Sequence, residues 1–168
     1  MPIGPTLEVQ EDLQVIFSSV QDEVYTKYYG QMSNQSSQTV NITTQGVYVP
    51  MNIIGTFDNA NSQGTSAPTT ASFGIKNSAG NNKKYVVIAT ADVEIGNNKT
   101  AGWRLAVNGV LITETTCTAT TGTQNFAKLM TQWIVTLNDG DEISCYLANL
   151  SGTQNIQVDR SKIVAFTL

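Results

Sequence analysis

Residues 133–149 constrain the fold of this chain more than any other stretch. Apolar and polar side chains alternate through Trp133, Val135 and Leu137, and again through Ile143, Cys145 and Leu147. Between the two runs stands Asn138-Asp139-Gly140-Asp141. A period of two sends successive side chains to opposite faces, so one face can be buried while the other stays wet. Asp, Asn and Gly supply the backbone conformations of a reversal. The segment therefore predicts two strands hinged at residues 138–141.

The same period governs most of the chain from Thr39 onward. Val40 and Ile42, then Val47, Val49, Met51 and Ile53, alternate with polar or turn residues, and Pro50 marks its run as an edge strand or a bulge. Residues 58–70, rich in Asn, Ser, Gly, Thr and Pro, form a long surface loop. Residues 84–95 read as a core strand. Residues 102–107 and 110–118 flank Asn108-Gly109, whose two positions favour positive φ and so predict a tight hairpin. Residues 126–137 put Phe126, Lys128, Met130 and Gln132 on one face and Leu129, Thr131 and Trp133 on the other. Short strands at Ile156–Val158 and Ile163–Leu168 close the chain. About eight to ten antiparallel strands with short turns predict an all-β sandwich or jelly roll over residues 39–168.

The first thirty residues follow another rule. Leu7, Val9, Leu13, Ile16, Phe17, Val20, Val24 and Tyr28 recur at helical spacing, with acidic and amide side chains between them. Thr6 is placed to cap the start, and Gly30 to end it. The stripe predicts an amphipathic helix of about 20–24 residues, roughly 30–36 Å long. A lone helix of that length is marginal in water, so the stripe must lie on the head, on a copy of itself or on a partner. Residues 31–38 are polar and unpatterned and are expected to be a linker. Residues 1–38 thus form an arm.

Charge and composition exclude several functions. Of the 168 residues only 13% are charged, about half the usual share, and the net charge is −4. Nine cationic residues, paired only at Lys83-Lys84, make no phosphate-tracking stripe, so nucleic acid is not an expected partner. No apolar run reaches the length of a membrane span. The opening residues have neither the basic region nor the apolar core of a secretory signal, and synthesis in a cytoplasm is expected. With no histidine, no nucleophile elbow, no phosphate loop and no metal-ligand spacing, no catalytic centre or cofactor is expected. Cys117 and Cys145, the two cysteines, read as small apolar strand residues.

A few residues could carry recognition chemistry. Asp139, Asp141 and Glu142 gather at a turn, where hard oxygen ligands suit calcium but where Asp and Gly are also what the turn itself requires. Asp92 and Glu94 share one strand face. Trp103-Arg104 follows a polar loop; an exposed Trp beside Arg would be a sugar platform or a contact hot spot, a buried one a core residue. Asn-x-Ser/Thr sequons at Asn34, Asn41, Asn98 and Asn149 are the by-product of a composition rich in these residues.

Taken together, Lys84-Tyr85-Val86-Val87, the Asn108-Gly109 hairpin, Val135-Thr136-Leu137 followed by Gly140-Asp141 and Ile143, and the final run Ile163-Val164-Ala165-Phe166-Thr167-Leu168 resemble the C1q/TNF-like trimeric jelly-roll heads. The resemblance covers about Val47 to Leu168. Domains of this look also cap the fibres and decorate the capsids of tailed bacteriophages, whose Thr/Asn/Gln-rich coating this chain shares. The resemblance implies a homotrimer. The strands around Trp133 and Tyr146 are expected to supply the apolar excess of a symmetric interface. It further implies a structural virion protein: a decoration or cement protein on the head surface of a tailed phage, held to the major capsid protein by the stripe Leu7 to Tyr28. The alternative it leaves open is the receptor- or glycan-binding head of a tail fibre or spike, with Trp103 and Arg104 as contacts.

Overall fold

A computed structural model describes residues 27–168. The helical stripe from Leu7 to Val24 lies outside these residues. Among the described residues there is no helix; the chain forms twelve antiparallel strands in two six-stranded sheets.

The first sheet is built on three strands of 12 residues each: β7 (Lys83–Glu94), β10 (Phe126–Leu137) and β12 (Ile156–Thr167). Its order is β10-β7-β12-β1-β4, with β1 spanning Tyr29–Asn34 and β4 spanning Thr56–Phe57, while β2 (Gln38–Val40) also pairs with β12. The second sheet runs β5-β6-β11-β8-β9: Thr65–Ser66, Gly74–Asn77, Glu142–Asn149, Thr100–Val107 and Val110–Thr120. The short β3 (Val49–Pro50) joins it beside β11. Four of the twelve strands have only two or three residues. The six strands of eight or more residues, β7 to β12, are the ones that alternation reveals.

Between the sheets lies one core. Tyr85, Val87 and Val93 of β7, Leu129 and Leu137 of β10, and Ile156, Val158 and Ile163 of β12 meet Ile75, Trp103, Leu105, Ile143, Cys145 and Leu147 of the second sheet, all buried. Each large aliphatic side chain buried in this way contributes about 1.5–3 kcal/mol. At the Asn108-Gly109 turn φ is 49° and 81°, and Val107 pairs directly with Val110, as the hairpin signal predicts.

Several expectations are corrected. The two strands hinged at residues 138–141 form as expected, but Trp133 and Tyr146 do not come to share one sheet: β10 belongs to the first sheet and β11 to the second. The turn carries the chain across the sandwich. Asp141 Oδ2 accepts the Asn138 backbone N–H at 2.8 Å, and the Gly140 and Asp141 backbone is tied to Asn77 of β6. Alternation reports which face is buried but not which strand is the neighbour, and here the two diverge.

Residues 31–34, expected to be linker, are strand. β1 pairs with β12 from Tyr29↔Phe166 to Asn34↔Ser161. A polar run can do this because its one deeply buried amide is satisfied locally: Asn34 donates to the Ser36 carbonyl and accepts from Ser36 and Gln38. The expected helix stop, Gly30, is a strand residue. Tyr28, expected to end the helical stripe, has extended backbone bonded to Thr167. Its ring lies against Gly64, where a Cβ would stand 1.8 Å from a ring carbon at φ +61°. The two short C-terminal strands are one, β12, with a bulge between Val158 and Arg160.

Candidate interaction surfaces

The outer face of the first sheet is laid out in cross-strand rows. Registration places Ile134, Val86, Phe166 and Tyr29 side by side across β10, β7, β12 and β1. The next row is Gln132, Ile88, Val164 and Gln31, and the one after it Met130, Thr90, Lys162 and Ser33. Then comes Lys128, Asp92 and Arg160. Directly opposite residues in adjacent strands stand about 4.5–5.5 Å apart, so each row is a contiguous strip. The first strip is wholly apolar and aromatic, and the fourth is wholly charged.

This strip is open. Five of the exposed large hydrophobic side chains among the described residues stand on this one face: Tyr29, Phe126, Met130, Ile134 and Phe166. A cavity of about 450 Å³ lined by Val86, Gln132, Trp133 and Ile134 wraps the free edge of β10. Contiguous apolar surface of this kind marks an association site. At the charged end, Asp92 lies 3.6 Å from Lys128 Nζ and 3.7 Å from Arg160 Nε.

The opposite outer face, on the second sheet, is polar and partly roofed by the chain's own loops. Glu142 is the fastener. Its Oε1 accepts the backbone N–H and hydroxyl of Thr69, and its Oε2 accepts the Thr70 hydroxyl at 2.7 Å and the Thr70 N–H at 3.4 Å. Burial works to raise its pKa, but these bonds outweigh burial and hold the carboxyl below its ordinary value. Beyond it lies a cleft of about 590 Å³ with Tyr146 in its wall.

The expected contact residues separate in the structure. Trp133 points inward on β10, at the sandwich edge, packed against the core. Tyr146 points outward on the other sheet. They share no face, because the hinge between them crosses the sandwich. Trp103, a platform if exposed and a core residue if buried, is 0% exposed, and its indole N–H has no hydrogen-bond partner among the described residues. It is a core residue. Arg104 is at the surface, its guanidinium 4.3 Å from the centre of the Tyr48 ring and its Nε donating to Thr116 Oγ1 at 2.8 Å.

The acidic turn serves the fold. Asp141 accepts from Asn108 and Asn138, Asp139 accepts from Gly80 N–H, and Glu142 faces Thr69 and Thr70. Among the described residues no three Asp, Glu, Cys or His side chains gather to hold a metal. Glu94 accepts from Gln157, and Asp92 is committed to its two cations. Cys117 and Cys145 are both free thiols. The residues that sequence reasoning missed on the first sheet are Val86, Ile88, Ile134, Val164 and Phe166. Their strands were legible, but the strip exists only once four strands are placed in register.

Comparison with solved structures shows the fold. The chain is similar to an Eiger TNF from S. frugiperda, with TM-score 0.60, 12% identity, and 84% of this chain and 92% of that one covered. It is similar also to murine APRIL, with TM-score 0.55, 9% identity, and 85% and 100% covered. A third likeness is the PRD1 vertex protein P5, with TM-score 0.55, 10% identity, and 84% and 96% covered. No family model matches the sequence, and no curated protein matches it.

Proposed function

We propose that this chain is the subunit of a homotrimeric, non-enzymatic structural head in a virion, and that it decorates the capsid surface of a tailed phage. The observation that carries the reading is the apolar strip Ile134–Val86–Phe166–Tyr29 on the outer face of the first sheet. The interior of the sandwich does not need it, and water alone is a poor neighbour for it. Half-exposed side chains of this size still have about 1 kcal/mol each to gain from burial. Exposed ion pairs are worth about 0–1 kcal/mol each, so the strip rather than the charged row drives association.

The likeness in fold to TNF, to APRIL and to a viral vertex protein supports a compact head presented on a larger assembly. In this reading residues 1–26 are the attachment side: the stripe Leu7, Val9, Leu13, Ile16, Phe17, Val20 and Val24 docks on the major capsid protein, and β1 belongs to the head. Light scattering on the size-exclusion peak tests the trimer, and a monomer at micromolar concentration overturns it. Deleting residues 1–26 tests the anchor: the truncated head is expected to stay trimeric and to lose attachment to empty capsids. Retained attachment overturns the anchor while leaving the trimer standing.

A further inference from the structure

The cleft on the second sheet is lined mostly by uncharged polar groups, unlike the apolar cavity beside Ile134 on the first. Its wall includes Asn52, Thr70, Asn108, Gly109, Ser144 and Tyr146. Of the charged groups near it, Glu142 and Arg104 are engaged within the protein, and Lys76, registered beside Glu142 on β6, does not line it. Glu142 is saturated by Thr69 and Thr70, and the Arg104 guanidinium, on the residue registered beside Tyr146, is stacked on Tyr48 and bonded to Thr116. Three uncharged groups are left over. The Tyr146 phenol, the Asn52 amide and the Ser144 hydroxyl make no hydrogen bond among the described residues. Each of them can both donate and accept.

We propose that this cleft binds a neutral hexose unit of a glycan, with the Tyr146 ring as the platform. A pyranose presents C–H groups on its faces and hydroxyls around its rim. The negative face of an aromatic ring suits the first, and amide and hydroxyl groups that donate and accept suit the second. A volume of about 590 Å³ fits one or two sugar rings. No free cation stands in the wall to hold a phosphate or carboxylate, and the lining is too polar for a purely apolar ligand. Because the cleft lies on the sheet opposite the apolar strip, it stays open whether or not the head trimerises, and in a trimer three clefts would act together on one surface.

The test is titration of the full-length protein, followed by amide chemical shifts, with glucose, galactose, mannose and N-acetylglucosamine, and with sialic acid as the anionic comparison. At least one neutral sugar is expected to shift the amides of Asn52, Asn108, Ser144 and Tyr146, and sialic acid to bind no better. Tyr146→Ala is expected to weaken that binding roughly tenfold, and Tyr146→Phe and Asn52→Ala each about threefold. Thermal unfolding of each variant reports whether the head is intact, and Asn52→Ala decides the matter if Tyr146→Ala does not fold. No shift at the cleft with any neutral sugar, binding unmoved by both Tyr146→Phe and Asn52→Ala, or shifts confined to the first sheet would overturn the proposal. None of these results bears on the trimer, which is read from scattering.

Discussion

The two outer faces of this sandwich belong to sheets of six strands each, yet they meet solvent differently. On the first sheet the outward residues of β10, β7, β12 and β1 line up into strips, one apolar from end to end and one charged. On the second sheet the outward residues of β11 lie beneath the loop that Glu142 fastens, or open into a polar cleft. Both sheets contribute inward side chains to the one core. The difference shows that the second face of a strand carries information the buried face does not: an apolar outward row with no cover among the described residues has more to gain from burial than a roofed polar one.

The sharpest way to break this comparison is to charge the apolar strip. Ile134→Glu with Phe166→Ser puts a carboxylate and a hydroxyl where two large hydrophobic groups stand half-exposed. Association is expected to weaken on the order of a thousandfold, since burying an unpaired charge costs far more than the lost contacts contribute. The monomer should keep its β circular dichroism, because neither side chain enters the core. Sedimentation velocity checks this, and a variant that remains trimeric removes the strip from the interface.

On the other face the largest expected effect is on stability. Glu142→Ala leaves the Thr69 and Thr70 donors without their acceptor and should cost about 2–4 kcal/mol in urea unfolding, with little change in association. The pH dependence follows from the same bonds. The Glu142 carboxyl titrates below its ordinary value in the folded head. Its contribution is therefore present above the pKa of the unfolded chain and is lost as pH falls through the lower, folded value. Wild type should lose stability through this acid range, and Glu142→Ala should lose less of it.

The hinge between the two sheets gives a smaller and more local test. Asn77 is fully buried, donates to the carbonyls of Asn81 and Leu137, and accepts from the Tyr85 hydroxyl at 2.9 Å and from Ala79 N–H. The Tyr85 phenol, pushed up to about 12 chiefly by burial, stays neutral and keeps donating across the ordinary pH range. Asn77→Ala should cost about 1–3 kcal/mol by stranding these partners. Hydrogen exchange is expected to rise first at Asn77, Gly140 and Asp141, where the two sheets are joined.

Alternation made the strands β7 to β12, the last of them read as two pieces, and the Asn108-Gly109 hairpin legible, because both are written in local residue types. What stayed hidden was partnership. The Asn-Asp-Gly-Asp turn looks the same whether it returns a chain to its own sheet or sends it to the other, so Trp133 and Tyr146 were expected to share a surface that the crossing denies them. Trp103 next to Arg104 has the local look of an exposed pair; the strand's alternation sends one inside and the other out. The polar run 31–34 gave no apolar signal, since Asn34 satisfies itself rather than relying on burial of carbon. The strip on the first sheet needed four registers at once, and the cleft needed a loop from residues 69–72 laid over a strand more than seventy residues away.

The smallest expected effect sharpens the comparison furthest. Asp92 holds Lys128 and Arg160 at the charged end of the first sheet, with the two cations 79% and 69% exposed in the single chain. In water such pairs contribute about 0–1 kcal/mol, so Asp92→Asn in the monomeric Ile134→Glu, Phe166→Ser background should barely move the urea midpoint. In the assembled head the same row would lie beside its copies and lose solvent, and removing the carboxylate would leave two cations with less water to screen them. There the substitution should weaken the trimer by severalfold, more at low salt than at high. An equal and negligible effect in both backgrounds would place the charged row at the open rim of the interface and confine the buried contact to the rows from Ile134 to Met130.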